Sequence, residues 1–156
     1  MDYQFDYDFR VRRNTSFLGF GFAVTKYTEV PSFAYLPTDH DDRVYLASDT
    51  GIYWQYSELE AEYIEVSGPA PVDFTGATLV CPIQINGRPT ALTLTSAVGG
   101  GLFIDGNVIG FNPRIFTIAK GAYKYEIQTT FLDGTKKTYI QGVLTIDEYV
   151  AAPIGS

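Results

Sequence analysis

Hydrophobic and polar residues alternate with a period of two along most of the chain, the spacing of half-buried β-strands. Phe5, Tyr7, Phe9 and Val11 share one face of the first segment, and Asp6, Asp8, Arg10 and Arg12 share the other. Asn14-Thr15-Ser16 predicts a turn, after which Leu18, Phe20, Phe22 and Val24 resume the alternation. Gly19 and Gly21 stand opposite them, where a close neighbour or an exposed face is expected. Farther on, Leu79, Cys81, Ile83 and Ile85 alternate up to an Asn86-Gly87 turn leading into a strand at Ala91 to Thr95. Val98 to Gly101 predicts a break, Leu102 to Ile104 a short strand, and Asp105-Gly106-Asn107 a turn into Val108-Ile109. A short helical turn is expected within Asn112 to Lys120. In the last hairpin Tyr123, Tyr125, Ile127, Thr129 and Phe131 face one way, Asp133-Gly134 turns the chain, and Ile140, Leu144 and Ile146 return on the buried side. Strands at this spacing predict an all-β chain with a two-layer β-sandwich over residues 1–26 and 71–150, followed by a tail at 151–156.

Residues 27–70 break that rhythm. Pro31, Pro37 and the run Asp39-His40-Asp41-Asp42 interrupt regular structure. Two apolar, aromatic runs, Arg43 to Ala47 and Ile52 to Tyr56, then flank Ser48-Asp49-Thr50-Gly51, which is the pattern of a β-hairpin. Ser57 to Glu62 reads as an acidic turn, and Tyr63-Ile64-Glu65-Val66 as a third short strand ended by Ser67-Gly68-Pro69. The segment is expected to form a β-hairpin knob inserted into the sandwich. Tyr45, Tyr53, Trp54 and Tyr56 are its candidate interface or binding residues. In a strand Tyr53 faces away from Trp54 and Tyr56, so one face packs and the other is available to a neighbour. Packing within the protein, contact with another subunit and stacking on sugar rings are the three roles open to them.

Composition agrees with strands, for the aromatic residues are 12 Tyr and 11 Phe against one Trp. The formal net charge is −7 and the pI about 4.5. A surface of that sign repels nucleic acid, and Arg10, Arg12 and Arg13 have Asp2, Asp6 and Asp8 beside them, so no nucleic-acid partner is expected. The single cysteine, Cys81, leaves no intramolecular disulfide and reads as a buried small apolar residue. The acidic start Met1-Asp2-Tyr3 does not resemble a signal peptide, and no run reaches the length of a membrane span. Synthesis in a cytoplasm, with no membrane partner, is the expectation.

The residues offer little for catalysis. His40 is the only histidine and sits in an acidic run that reads as a solvated loop. Asp39, Asp41 and Asp42 could offer oxygens to calcium, yet the glycine and closing glutamate of a calcium-binding loop are missing. Glu58, Glu60 and Glu62 lie in a short turn with nothing to desolvate them, unlike paired glycosidase carboxylates. Gly99-Gly100-Gly101 lacks the strand, helix and lysine of a nucleotide loop. No catalytic residue, no cofactor and no metal are expected, and the chain is read as not an enzyme.

The order of short motifs carries a resemblance. Asp8-Phe9-Arg10-Val11, Phe17 to Val24, Pro71 to Thr78, Gly121-Ala122-Tyr123-Lys124-Tyr125-Glu126-Ile127, Phe131-Leu132-Asp133-Gly134-Thr135 and Gly142-Val143-Leu144-Thr145-Ile146 follow one another. This frame resembles the immunoglobulin-like N-terminal domain of bacteriophage upper-baseplate proteins and related short tail proteins. Within 27–70, Leu36-Pro37, Asp42 to Tyr56 and Tyr63 to Val66 are similar to a hairpin repeat of tail-fibre and other virion proteins. Ser57 to Glu62 departs from it, standing where a tighter glycine turn is usual. The resemblance implies an immunoglobulin-like β-sandwich with an inserted β-hairpin, acting as a structural part of a phage virion. It implies a tail, baseplate or fibre-attachment protein that assembles with copies of itself and with other virion proteins. The rival readings are a capsid decoration or head-fibre protein, and a module binding a host surface glycan.

Overall fold

The structure, a computed structural model, describes residues 5–148. The expected tail at 151–156, and the ends of the expected sandwich at 1–4 and 149–150, lie outside the described residues. The chain is all-β. Its strands are β1 (Phe5–Asp6), β2 (Phe9–Arg12), β3 (Ser16–Phe17), β4 (Phe20–Ala23), β5 (Thr25–Lys26) and β6 (Thr28–Val30). They continue with β7 (Val44–Ala47), β8 (Ile52–Ser57), β9 (Glu62–Val66), β10 (Ala70–Pro71), β11 (Thr78–Gln84) and β12 (Leu92–Thr95). The last are β13 (Leu102–Asp105), β14 (Val108–Phe111), β15 (Arg114–Ile115), β16 (Gly121–Thr130) and β17 (Lys136–Asp147). Among the described residues the only helix is a 3₁₀ turn at Phe33–Tyr35. Two compact units result, one from the chain up to Phe22 and from Phe74 onward, the other from Ala23–Asp73.

The first unit has a six-stranded sheet in the order β1-β17-β16-β11-β12, with β2 also on β17. A three-stranded sheet, β13-β14-β4, and the short pair β15-β3 complete it. The sandwich-like packing follows from the alternation. Leu79, Cys81 and Ile83 of β11, Tyr123, Tyr125 and Ile127 of β16, and Ile140, Leu144 and Ile146 of β17 are buried. They meet Phe111 of β14 and Phe20 of β4 through Phe9, whose ring lies 5.3 Å from Phe111 and 4.9 Å from Phe20. Each fully buried side chain of this size contributes about 1.5–3 kcal/mol.

Several departures from simple alternation have local causes. The first segment is two strands rather than one. At the break Tyr7 N–H still donates to the Gln141 carbonyl at 2.9 Å, while the Asp8 carboxylate accepts the Val143 N–H at 2.8 Å. Leu18, expected inside, is 83% exposed. Gly19 has a φ of +82°, which resets the phase so that Phe17 and Phe20 point inward with ring centroids 5.8 Å apart. No helical turn forms within Asn112 to Lys120. That backbone is committed elsewhere: Asn112 N–H donates to Gly101, Phe116 carbonyl accepts from Asn14, and Arg114 pairs with Phe17. Between Ile127 and Gln128 the β16–β17 register shifts, from Ile127 opposite Ile140 to Gln128 opposite Thr138. The extra residue is Tyr139, and the bulge lets Tyr139 and Ile140 both turn inward although they are adjacent. Tyr139 then meets Phe74 at 5.8 Å.

Two expectations for stability follow. A Cβ at Gly110 would overlap the Phe20 carbonyl and the Gly21 backbone, so Gly110→Ala should force β14 from β4 and cost about 1–3 kcal/mol. Gly68→Ala, in open space, should leave the urea midpoint nearly unchanged. The second concerns pH. Burial pushes the Tyr125 phenol well above its ordinary 10.0, with Cys81 and Asp8 adding to the effect, and burial raises Tyr139. Burial likewise pushes the Cys81 thiol above its ordinary 9.0. A raised pKa means the folded state holds its proton longer, so the stabilisation is complete below these ordinary values and falls as pH rises through and beyond them. Thermal melts should hold steady to about pH 9 and then fall, with the buried tyrosinate absorbance appearing only on unfolding. Full tyrosine titration in a chain that stays folded would contradict this.

Candidate functional site

The second unit places the four candidate aromatic residues on one sheet, ordered β6-β7-β8-β9. Val44-Tyr45-Leu46-Ala47 and Ile52 to Ser57 are rich in β-branched and aromatic residues, which favour extended backbone. The connection Ser48 to Gly51 closes with Thr50 and Gly51 N–H groups on the Ala47 carbonyl, and Gly51 supplies a φ of +74°. On the other side of β8, residues 58–61 turn the chain into β9, with Ser57 opposite Glu62. Ala61 adopts φ +55° there, and the Ser57 hydroxyl accepts the Glu60 N–H at 3.1 Å. This is the turn where a glycine was expected by analogy; Ala61 takes its left-handed conformation.

Register decides the faces. Tyr45 lies opposite Trp54 and Tyr56 opposite Tyr63, so all four share one face of the sheet. Tyr53 lies on the other, edge-on to Tyr27 at 5.7 Å. The first face is covered by the segment 31–43 of the same unit. The His40 ring stacks on Tyr56 at 3.6 Å and meets Tyr63 edge-on at 5.6 Å. Tyr63 hydroxyl donates to the Pro37 carbonyl at 2.7 Å, and from the opposite face of β8 Gln55 Nε2 donates to the Asp42 carbonyl at 2.8 Å. Tyr45 is buried, and its hydroxyl donates to the two Asp41 oxygens at 3.1 and 3.0 Å. Asp41 also accepts the Arg43 N–H at 3.1 Å and lies 3.7 Å from the Arg43 guanidinium. Burial, and next the hydrogen bond to Asp41, raises the Tyr45 phenol pKa and keeps it a donor at neutral pH. Burial, and next the Asp41 charge, does the same for Tyr63.

The acidic run therefore acts as a clasp. Asp41 serves the Tyr45 hydroxyl and its own loop, and His40 serves as a stacked ring. Among the described residues no group of three or more His, Cys, Asp and Glu side chains is placed to hold a metal ion.

At one edge of the clasp the surface is apolar. Phe33 lies edge-on to Trp54 at 4.7 Å, yet Phe33 is 52% and Tyr35 67% exposed. Trp54 Nε1 is buried without a hydrogen-bond partner in the protein. Sequence reasoning singled out Trp54 but passed over Phe33 and Tyr35. Their signal was an aromatic pair held between Pro31 and Pro37 in a segment otherwise read as a break. In the first unit, an open groove of about 500 Å³ runs over the six-stranded sheet, bordered by Asp6, Asp8, Gln84, Lys124, Glu126 and Gln141 together with the apolar Pro82, Tyr125 and Val143. The period-two pattern had placed most of these on an outward face, but it held no information on the groove.

Removing the Tyr45 hydroxyl tests the clasp. Tyr45→Phe should cost about 1 kcal/mol and speed tryptic cleavage after Arg43, whose side chain is 65% exposed. Cleavage at the parent rate would show that Asp41 does not hold the segment. Set against known proteins, the chain matches no family model and no curated protein.

Proposed function

We propose that this chain is a structural subunit of a bacteriophage virion, serving the tail, the baseplate or a fibre attachment point. It is made in the host cytoplasm and acts in the particle, by holding copies of itself and other virion proteins together. The sandwich-like body is read as the immunoglobulin-like domain that the order of sequence motifs resembles. The observation that carries the reading is the surface of the second unit, where Phe33, edge-on to the partly covered Trp54, and Tyr35 are both more than half exposed. Large aromatic side chains displayed at a surface are the anchors that protein interfaces use most. The net charge of −7 favours protein partners over nucleic acid. Nothing in this role requires a catalytic group or a cofactor.

A second reading rests on the same residues. Phe33 beside Trp54, with the exposed Tyr35, could stack on the sugar rings of a host surface glycan, and the chain would then be a receptor-binding module. A capsid decoration protein would share the fold and differ in the part of the particle that it covers.

Reconstitution separates these readings. Purified protein added to particles that lack it should sediment with them and collect at one end by negative-stain imaging. The double variant Phe33→Ala, Tyr35→Ala should fold normally, since both rings are largely exposed, and lose tenfold or more in particle affinity. Collection over the head would favour the capsid reading. Failure to sediment, together with glycan binding that Trp54→Ala abolishes, would overturn the assembly role.

A further inference from the structure

An edge strand must leave one row of backbone N–H and C=O groups to solvent, and proteins guard long edges with proline, charged residues (lysine above all), bulges or covering loops. The edges of the first unit are short or interrupted. β1 and β2 are separated by the break at Tyr7 and Asp8, where the Asp8 side chain takes the Val143 N–H. β12 has four residues, and Thr95 N–H is taken by the Gly100 carbonyl. In the second unit β6 has three residues. β9 is different. It has five residues, pairs with β8 from Glu62 to Val66 without a register shift, and contains no proline, lysine or glycine, so that Glu62 and Glu65 are its only guards. Among the described residues it is the longest strand at the edge of a sheet. Glu62, Ile64 and Glu65 are exposed, Ile64 by 38%.

We propose that β9 is a self-pairing edge: two copies of this chain join antiparallel along Glu62–Val66, centred on Ile64, making one eight-stranded sheet from two four-stranded ones. This rests on the reading that the chain works through subunit contacts, and it names the element. The sequence of the strand specifies the occupant. Centred on Ile64, Glu62 stands opposite Val66 of the second copy, Tyr63 opposite Glu65, and Ile64 opposite Ile64. No glutamate faces a glutamate, and all five residues overlap. Sliding the centre to Glu65 brings two like charges directly together, which is destabilising. Parallel pairing in register does the same at both glutamates. Edge pairing of this kind takes its affinity from backbone hydrogen bonds and its register from the alternating side chains. The interface is small, and two copies of charge −7 repel each other, so the pairing should be concentration-dependent and should strengthen as salt screens that repulsion.

Sedimentation of the full chain should show the mass rising from 17.3 kDa toward twice that value with concentration, more steeply at high salt. Ile64→Lys, which sets two ammonium groups face to face at an exposed position, should weaken association tenfold or more. Single-cysteine placement reads the register, since Cys81 is buried. Ile64→Cys should give a covalent dimer with a short bismaleimide. Glu62→Cys should do so only when mixed with Val66→Cys. A parent chain that stays monomeric at every concentration overturns the proposal, as does Ile64→Lys associating like the parent or cross-linking best through Glu62→Cys alone. Sedimentation of Ile64→Lys with virions at parental affinity would leave the assembly reading standing while removing β9 from it.

Discussion

Strand β17 carries backbone ladders on both of its sides, and the first unit depends on that double role. On one side it runs antiparallel to β16 over ten paired positions. On the other it accepts β1 and β2 in parallel, so the two ends of the described chain meet on one strand. The cost of bringing such distant segments together is met only because the meeting buries a large aromatic surface. Phe9 reaches Phe20, Phe111 and Tyr125 from β2. The Tyr125 hydroxyl in turn donates to the Tyr7 carbonyl, which ties the break between β1 and β2 to the centre of the sheet. Gly142 belongs to the same joint, since a Cβ there would strike the Tyr7 backbone.

The second unit uses aromatic residues in another way. Its sheet carries Tyr45, Trp54, Tyr56 and Tyr63 on one face, and the chain's own segment 31–43 lies over them. Stacking of His40 and the carboxylate of Asp41 hold that segment. Within the acidic run Asp41 serves as a loop anchor, held by a phenol and by the backbone of Arg43. What remains outward is the Phe33 and Tyr35 rim.

Much of the fold was legible because a period of two carries both strand identity and face. Tyr123, Tyr125, Ile127 and Thr129 are buried in turn as the alternation requires, and Cys81 is buried as a small apolar residue. The pattern failed where a single residue changed the phase. Gly19 turned Leu18 outward, and the bulge at Tyr139 placed two neighbouring residues inside. Neither event alters composition or spacing enough to be seen beforehand. The stretch after Asn112 was misread as helical because its backbone partners are distant in sequence. For the candidate residues, the opposed faces of Tyr53 and Trp54 follow from strand geometry alone. The cover supplied by 31–43 does not, since nothing local says that a proline-flanked segment folds back over its own sheet. Phe33 and Tyr35 were missed for that reason.

A two-sheet body, an exposed aromatic rim and a five-residue strand at a sheet edge are features that suit a part repeated many times in an assembly. Multiple weak contacts in a closed ring would make a stable particle from interfaces that are modest one at a time. The most direct measurement is electron cryomicroscopy of the particles at a resolution that separates strands. The account predicts density for the six-stranded sheet repeated around the tail axis, with the second unit's aromatic rim against a neighbouring chain. Particles complete without this chain, or with it present but touching no neighbour through that rim, would contradict it.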